Sequence, residues 1–445
     1  METVIAIVLL ATYIAFAVYA ARGGNLMLGF FVMAVIWAGL GAADGLTTWI
    51  ATSEQTGAGM VDINTGIFSN GPTGWGGTAV IVMFGSWFGR ILVETNIARS
   101  IISFAVEMGG ERKALTTILI SFVTSIIFAS CYGPGTVVAI GVIVFPILLS
   151  IGVPKTTATL SYLFSIGAGL YINTGRGKQI DIYIPFDYAN SVDWKMFSFI
   201  AYGLQMLLVV LLVIWGTRGL KQQKKHAWAV SENSGGDSGK RVGILAMLTP
   251  IIPVVLTIFF QFSAITSILV AVIWALLFTG NMKKWNEMGT MLQKTFRDGV
   301  TDIALVLSFL FFLQMFMKSA KICAKIFANF LSPVIPKNLL IIFLIFGIFG
   351  FLALFRGPLT LWGCGTAILA LLQSIGGIFT PKVLFPMFTI PATTVNESFC
   401  PTQSWNVWAI GYTKTDMKEY FRAGLVPVLI LNLVLEIIAF FIFAA

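Results

Sequence analysis

Long apolar runs decide most of what this chain can fold into. Hydropathy marks spans at about 3–21, 25–42, 78–95, 156–174 and 197–216, then at about 242–260, 263–279, 300–317, 383–397 and 424–444. A helix needs roughly 20 such residues to cross the ~30 Å of a bilayer's hydrocarbon. Of the 445 residues, 57% are hydrophobic and 11% charged, against roughly 45–50% and about 25% in soluble domains. Water could not cover that excess. Soluble enzymes, nucleic-acid-binding modules and disordered scaffolds are excluded, and a polytopic all-α membrane protein is expected, with the lipid bilayer as its surroundings. The net charge of +9 fits basic cytoplasmic loops better than a polyanionic partner. The first apolar run has only Glu2 ahead of it and no basic region, so it reads as a retained span.

The stretch 217–241 is polar, Gly/Ser-containing and basic, and reads as a cytoplasmic linker between a first repeat, 1–216, and a second, 242–445. Each half also holds an apolar stretch broken near its centre. The first, 114–152, breaks at Cys131-Tyr132-Gly133-Pro134-Gly135. The second, 338–377, breaks at Phe355-Arg356-Gly357-Pro358. Gly133-Pro134 and Thr136 recur as Gly357-Pro358 and Thr360, all shifted by 224 positions, and Asn173 recurs as Asn396 after 223. Ordered matches of this kind indicate an internal repeat. If each broken stretch is a re-entrant hairpin, five full spans remain per half. That odd number requires the two repeats to be inverted. Placing the linker inside puts most Lys and Arg inside, and leaves the 43–77 loop, which has none, outside. Lys318, Lys321, Lys325 and Lys337 run against this bias, and are expected on a helix lying flat at the interface.

A break in a membrane helix frees N–H and C=O groups that lipid cannot satisfy, so it survives only against protein or a wet cavity. Paired breaks in two inverted halves are the best sequence pointer to a transporter's binding site. Half-helix N-termini suit an anion, and freed carbonyls suit a cation. The expected substrate site therefore comprises Ser130, Gly133, Gly135 and Thr136 at the first tip, and Arg356, Gly357 and Thr360 at the second. Asn173, Thr174, Thr393, Thr394 and Asn396 join it from the two span ends. Arg356 needs an anionic partner, either a substrate carboxylate or Glu397, because a guanidinium at membrane depth costs at least ~2.5–3.5 kcal/mol. Glu397, with Asn173 and Asn396, is the expected site of the coupling ion. Arg90 and Glu94 stand one turn apart and read as a local ion pair. Trp405 and Trp408 read as an interface belt, and Glu436 as facing protein or the interface.

Several chemistries lack their residues. Cys131, Cys323, Cys364 and Cys400 are far apart, and the only histidine, His226, lies in the linker. Zinc sites and Ser-His-Asp triads are therefore not expected. The Gly-rich run at 69–77 is followed by no GKS or GKT, so it is not a P-loop. No catalytic residue, metal or cofactor is expected beyond a proton or sodium ion, whose gradient would supply the energy.

The residues at 133–164 resemble the first hairpin and following helix of lactate-permease-type carriers. FGSWFGRILVETNIARSI (84–101) and VNESFCPTQSWNVWAIGYTKTDMKEYFRA (395–423) resemble parts of gluconate permeases. Both groups belong to the ion transporter superfamily of secondary carriers. The resemblance implies a scaffold domain, a mobile transport domain carrying both hairpins, elevator-type alternating access, a homodimer, and symport of an organic anion with protons or sodium. Gluconate permeases carry a Pro-Pro-His-Pro-like run where this chain has Asn173-Thr174-Gly175-Arg176-Gly177, which separates it from sugar-acid carriers. The leading expectation is thus a secondary transporter of a small carboxylate. The alternatives are a sodium/proton antiporter and the membrane subunit of a binding-protein-dependent carrier. Short tails outside the spans suit a bacterial inner membrane.

Overall fold

The computed structural model describes residues 2–57, 59–110, 112–219 and 241–444. Most of the linker, 220–240, and His226 with it, lies outside the described residues. Six helices among the described residues are long and apolar enough to cross a membrane, or seven if the bent pair Leu339–Ile348 and Gly350–Arg356 is one span. The chain is a multi-pass, helical membrane protein.

Helix positions follow the chemistry of the sequence closely. Glu2–Ala21 and Leu26–Ala43 form an antiparallel pair, and Asn25 starts the second by accepting a hydrogen bond from the Leu28 amide at 3.2 Å. Gly76–Glu94, Lys155–Ile172, Val192–Gly216, Ala264–Thr279 and Met417–Phe443 fall on expected spans. The first broken stretch is two helices, Lys113–Phe128 and Pro134–Ser150, joined through Gly133 at φ +115°. Only glycine takes that conformation at little cost.

Three expectations change. The span at 242–260 is broken into Ile244–Met247, a 3₁₀ turn Thr249–Ile251 and Ile252–Phe260. Pro250 and Pro253 each remove a backbone donor there. The 43–77 segment is not a plain loop. Thr47–Thr48 pairs in parallel with Val61–Asp62, and Ile63–Ser69 forms a π-helix that leads toward Gly76–Glu94. The lysines of 318–325 do not ride on a separate interfacial helix. They belong to one continuous helix, Trp285–Leu331, which at about 1.5 Å per residue is roughly 70 Å long, more than twice the hydrocarbon thickness. Its apolar side packs on Leu26–Ala43, where Ser319 Oγ donates to the Ala34 carbonyl and Cys323 Sγ to that of Trp37. The lysines point away from that contact and are exposed.

Two segments form the centre. Every residue from Thr157 to Tyr171 in the helix Lys155–Ile172 is buried, as is every residue of the wide turn Pro391–Glu397 that ends Pro381–Ile390. They meet where the Tyr171 hydroxyl lies 2.6 Å from Thr394 Oγ1. Close approach to the first hairpin depends on Gly169. A Cβ there would stand 2.3 Å from the Ser125 carbonyl oxygen and 2.9 Å from the Ala129 nitrogen, both backbone atoms. Gly169→Ala is therefore expected to cost about 1–3 kcal/mol through overpacking, seen as a lower melting temperature of the purified protein in detergent. An unchanged melting temperature would show that the hairpin moves aside freely.

Candidate functional site

The two central breaks are stitched by asparagine amides. Asn173 Nδ2 donates to the Phe128 and Cys131 carbonyls, each at 2.9 Å, and its Oδ1 accepts from the Arg176 amide at 2.9 Å. Those are carbonyls that the end of Lys113–Phe128 leaves without a helical partner. Asn396 Nδ2 does the same for the second hairpin, donating to the Ala353 carbonyl at 3.0 Å. Ser130 turns inward to the Ile127 carbonyl, 3.1 Å away.

An ion pair links the halves. Arg176, 1% exposed, donates from Nε to both oxygens of Glu397 at 2.9 Å, and its Nη2 lies 2.8 Å from Oε2. Thr393 Oγ1 accepts from Nη2 at 3.4 Å, the Tyr132 hydroxyl donates to Glu397 Oε1 at 3.4 Å, and the guanidinium lies over the Trp362 ring at 4.5 Å. Of the two partners expected for Arg356, Glu397 is thereby taken by Arg176. Arg176 belongs to the same break as Asn173, three residues further on.

Arg356 faces a cavity of about 260 Å³ lined also by Tyr132, Phe309, Trp362, Gln403 and Trp405. Phe355 and Arg356 sit at φ +54° and +60°, a left-handed turn that ends the helix and releases the side chain. Among the described residues its nitrogens reach only neutral acceptors, the Gln403 amide oxygen and, at 3.3 Å, the Trp362 carbonyl. No carboxylate among the described residues forms an ion pair with it. Trp405 is also corrected. Rather than joining an interface belt, it is buried, and its indole N–H donates to the Glu397 carbonyl at 2.9 Å.

The other expected residues are spread around this cavity. Thr360 is buried, its Oγ1 accepting from the Trp362 amide at 3.3 Å. Gly357 lies so close to the Leu352 carbonyl that a Cβ would stand 2.1 Å from it. Ser130, Asn173 and Thr174 line a separate space of about 20 Å³, on the other side of Tyr132, with Gln179. Gly133, Gly135 and Thr136 face protein in this conformation. A Cβ on Gly133 would meet Ile303, and one on Gly135 would meet the Asp302 carboxyl group. Asp302 thus sits against the N-terminus of Pro134–Ser150, a favourable place for a carboxylate.

Asp302 also corrects the local pair expected on Gly76–Glu94. It takes Arg90 in a two-point contact, Nε–Oδ2 at 2.5 Å and Nη2–Oδ1 at 2.6 Å, while Glu94 reaches Lys294 at 2.8 Å. Both partners come from the long helix. A one-turn spacing allows a pair but does not compel it when a facing helix offers a better-placed charge.

No known family profile matches the chain, and no curated protein matches it in sequence. Solved structures do match. The YdaH transporter of Alcanivorax borkumensis, described as having an unusual topology, aligns with a TM-score of 0.56 at 14% identity, over 93% of this chain and 97% of that one. The chain shares the fold of that protein. MtrF of Neisseria gonorrhoeae, described as illuminating a class of antimetabolite efflux pumps, aligns with a TM-score of 0.54 at 14% identity, over 93% of each chain. Both similarities span nearly the whole chain.

Proposed function

We propose that this protein is a secondary transporter of small organic anions. The observation that carries the reading is Arg356, a guanidinium facing a cavity within the membrane-spanning bundle and held by neutral acceptors alone. A cation there lacks its counter-charge until an anion enters. Arg presents a planar fork matched to a carboxylate. Tyr132, Phe309, Trp362 and Trp405 around it suit a carboxylate with an apolar or ring-bearing body. The expected substrate class is therefore kept as a carboxylate and extended to aromatic ones. The efflux role in MtrF's description makes outward transport the direction to test alongside uptake.

The rest of the reading follows the resemblance set out above. It holds two inverted repeats, 1–216 and 242–445, joined by the linker, and alternating access by an elevator-type movement of both hairpins. The protein works as a homodimer in a bacterial cell membrane, coupled to protons or sodium. The like roles of Asn173 and Asn396, and the contact between Tyr171 and Thr394, which are themselves 223 positions apart, support a two-fold relation between the halves. The hairpin-tip residues Gly133, Gly135 and Thr136 belong to the site in a conformation where Asp302 has withdrawn.

The test is transport by the purified chain in proteoliposomes. Labelled lactate, gluconate, citrate, succinate, acetate and benzoate would each be offered under imposed proton or sodium gradients, inward and outward. Accumulation of one anion under one gradient is the expected result. Ion exchange with no anion moved would establish a sodium/proton antiporter instead. Transport only after adding a soluble protein would establish the partner-dependent carrier.

A further inference from the structure

The last helix, Met417–Phe443, carries a carboxyl group that the anion site does not use. Glu436 is fully buried, and neither of its oxygens has a hydrogen-bond partner among the described residues. One turn earlier Asn432 is also fully buried, and its Oδ1 is likewise unpartnered. Residues four apart share one helix face. Two buried side chains on the same side of this helix thus carry three acceptor oxygens without a donor to them among the described residues. Buried acceptors without donors are costly, and an unpaired carboxylate more so.

A single proton resolves this. Bound to Glu436, it removes the carboxylate charge and turns one acceptor into an O–H donor, with Asn432 Oδ1 as the unpartnered acceptor one turn away on the same face. We propose that Glu436, with Asn432, is the proton-carrying site of the transport cycle. The inference rests on the transport reading above and assigns its coupling ion to a residue other than Glu397, which Arg176 already holds. The chemistry is proton transfer alone. An O–H bond forms on Glu436 when a proton arrives from water on one side, and breaks when that proton leaves to water on the other.

The surroundings tie this site to the second hairpin. Asn432 Nδ2 donates to the Phe346 and Gly347 carbonyls at 3.1 and 3.2 Å, just before the 56° bend between Leu339–Ile348 and Gly350–Arg356. A Cβ on Gly350 would stand 2.4 Å from Asn432 Nδ2, and one on Gly347 would stand 3.5 Å from Glu436 Cβ. The proton site and the hinge of the arm that bears Arg356 are in direct contact. Of the ionisable groups on the packed elements, Tyr171 is within electrostatic reach of Glu436, and its hydroxyl is engaged by Thr394. Charged groups on the elements packed against this helix are engaged elsewhere: Lys382 by Asp193, Glu397 by Arg176, and Arg356 by Gln403.

The test uses the full chain and Glu436→Gln, with gel filtration and melting temperature as fold controls and Glu436→Asp as the conservative variant. Infrared spectroscopy of the reconstituted protein is expected to show the C=O stretch of a protonated, water-excluded carboxyl, shifted in D₂O, titrating with pH and absent from Glu436→Gln. A wild-type spectrum without that band, or a band unchanged in the variant, overturns the proposal. Accumulation of the six labelled carboxylates named above under an inward proton gradient is the second readout. Glu436→Gln is expected to lose gradient-driven accumulation, and Glu436→Asp to regain part of it. Equal accumulation by wild type and Glu436→Gln, or dependence on sodium alone, overturns the proposal. If wild type moves none of the six, the transport reading fails separately, and the infrared result still decides whether Glu436 holds an exchangeable proton.

Discussion

Arg356→Ala is expected to raise the anion concentration needed for half-maximal transport by about 10- to 100-fold, with the protein still folded. Hydrogen bonds to charged groups contribute about 1.5–3 kcal/mol each, and every 1.4 kcal/mol is about tenfold in affinity. The fold should survive because Arg356 makes no ion pair that its removal would leave half-buried. Its partners, Gln403 Oε1 and the Trp362 carbonyl, border the cavity and turn to water in the variant. Arg356→Lys should recover only part of the loss, since an ammonium keeps the charge but not the two-point fork. Gln403→Ala should have a smaller effect, through the orientation of the guanidinium rather than its charge. Transport kinetics in proteoliposomes, with gel filtration as the fold control, decide the matter. A folded Arg356→Ala protein with wild-type kinetics would remove Arg356 from the anion site.

The same residue shows where sequence reading stopped. That 356 lay at a break was legible because Gly-Pro inside an apolar run has few structural outcomes, and the span positions were legible because hydrocarbon thickness fixes helix length. The partners were not legible. Arg356 was expected to meet a substrate carboxylate or Glu397, and Arg90 to reach Glu94, yet Glu397 belongs to Arg176 and Arg90 to Asp302. Hydropathy says which charges are buried, but only the packing of distant helices says which of them meet. A usable signal did exist for Arg176: an arginine three residues after Asn173 and a glutamate one residue after Asn396, at the two matching breaks. Trp405 failed for a related reason. An indole suits a membrane interface and a buried hydrogen bond equally well, and the acceptor it uses, the Glu397 carbonyl, is exposed only by the wide turn at Pro391–Glu397. The cavity's aromatic lining went unread because Tyr132, Phe309, Trp362 and Trp405 come from four separate segments.

Breaking the Arg176–Glu397 pair from one side should produce the largest stability loss of any single substitution considered. Both side chains are essentially unexposed, at 1% and 0%, so the remaining charge would have neither water nor partner. Such half-broken buried pairs cost about 3–5 kcal/mol. Arg176→Met is expected to be the worse of the two. It also removes the group lying over Trp362 and bonded to Thr393, and leaves Glu397 with only the long Tyr132 contact at 3.4 Å. Glu397→Leu removes both acceptors and strands the guanidinium. The double variant Arg176→Met/Glu397→Leu should recover much of the loss, because replacing both members of a buried pair by apolar groups is often close to neutral. Melting temperatures of the four proteins in detergent give the coupling as a double-mutant cycle. Strong positive coupling would establish the pair as the tie between the two central breaks. Two single variants that melt like wild type, with no coupling, would mean that the charges are already separated in the folded protein, and that the halves are joined by the Tyr171–Thr394 contact and apolar packing instead.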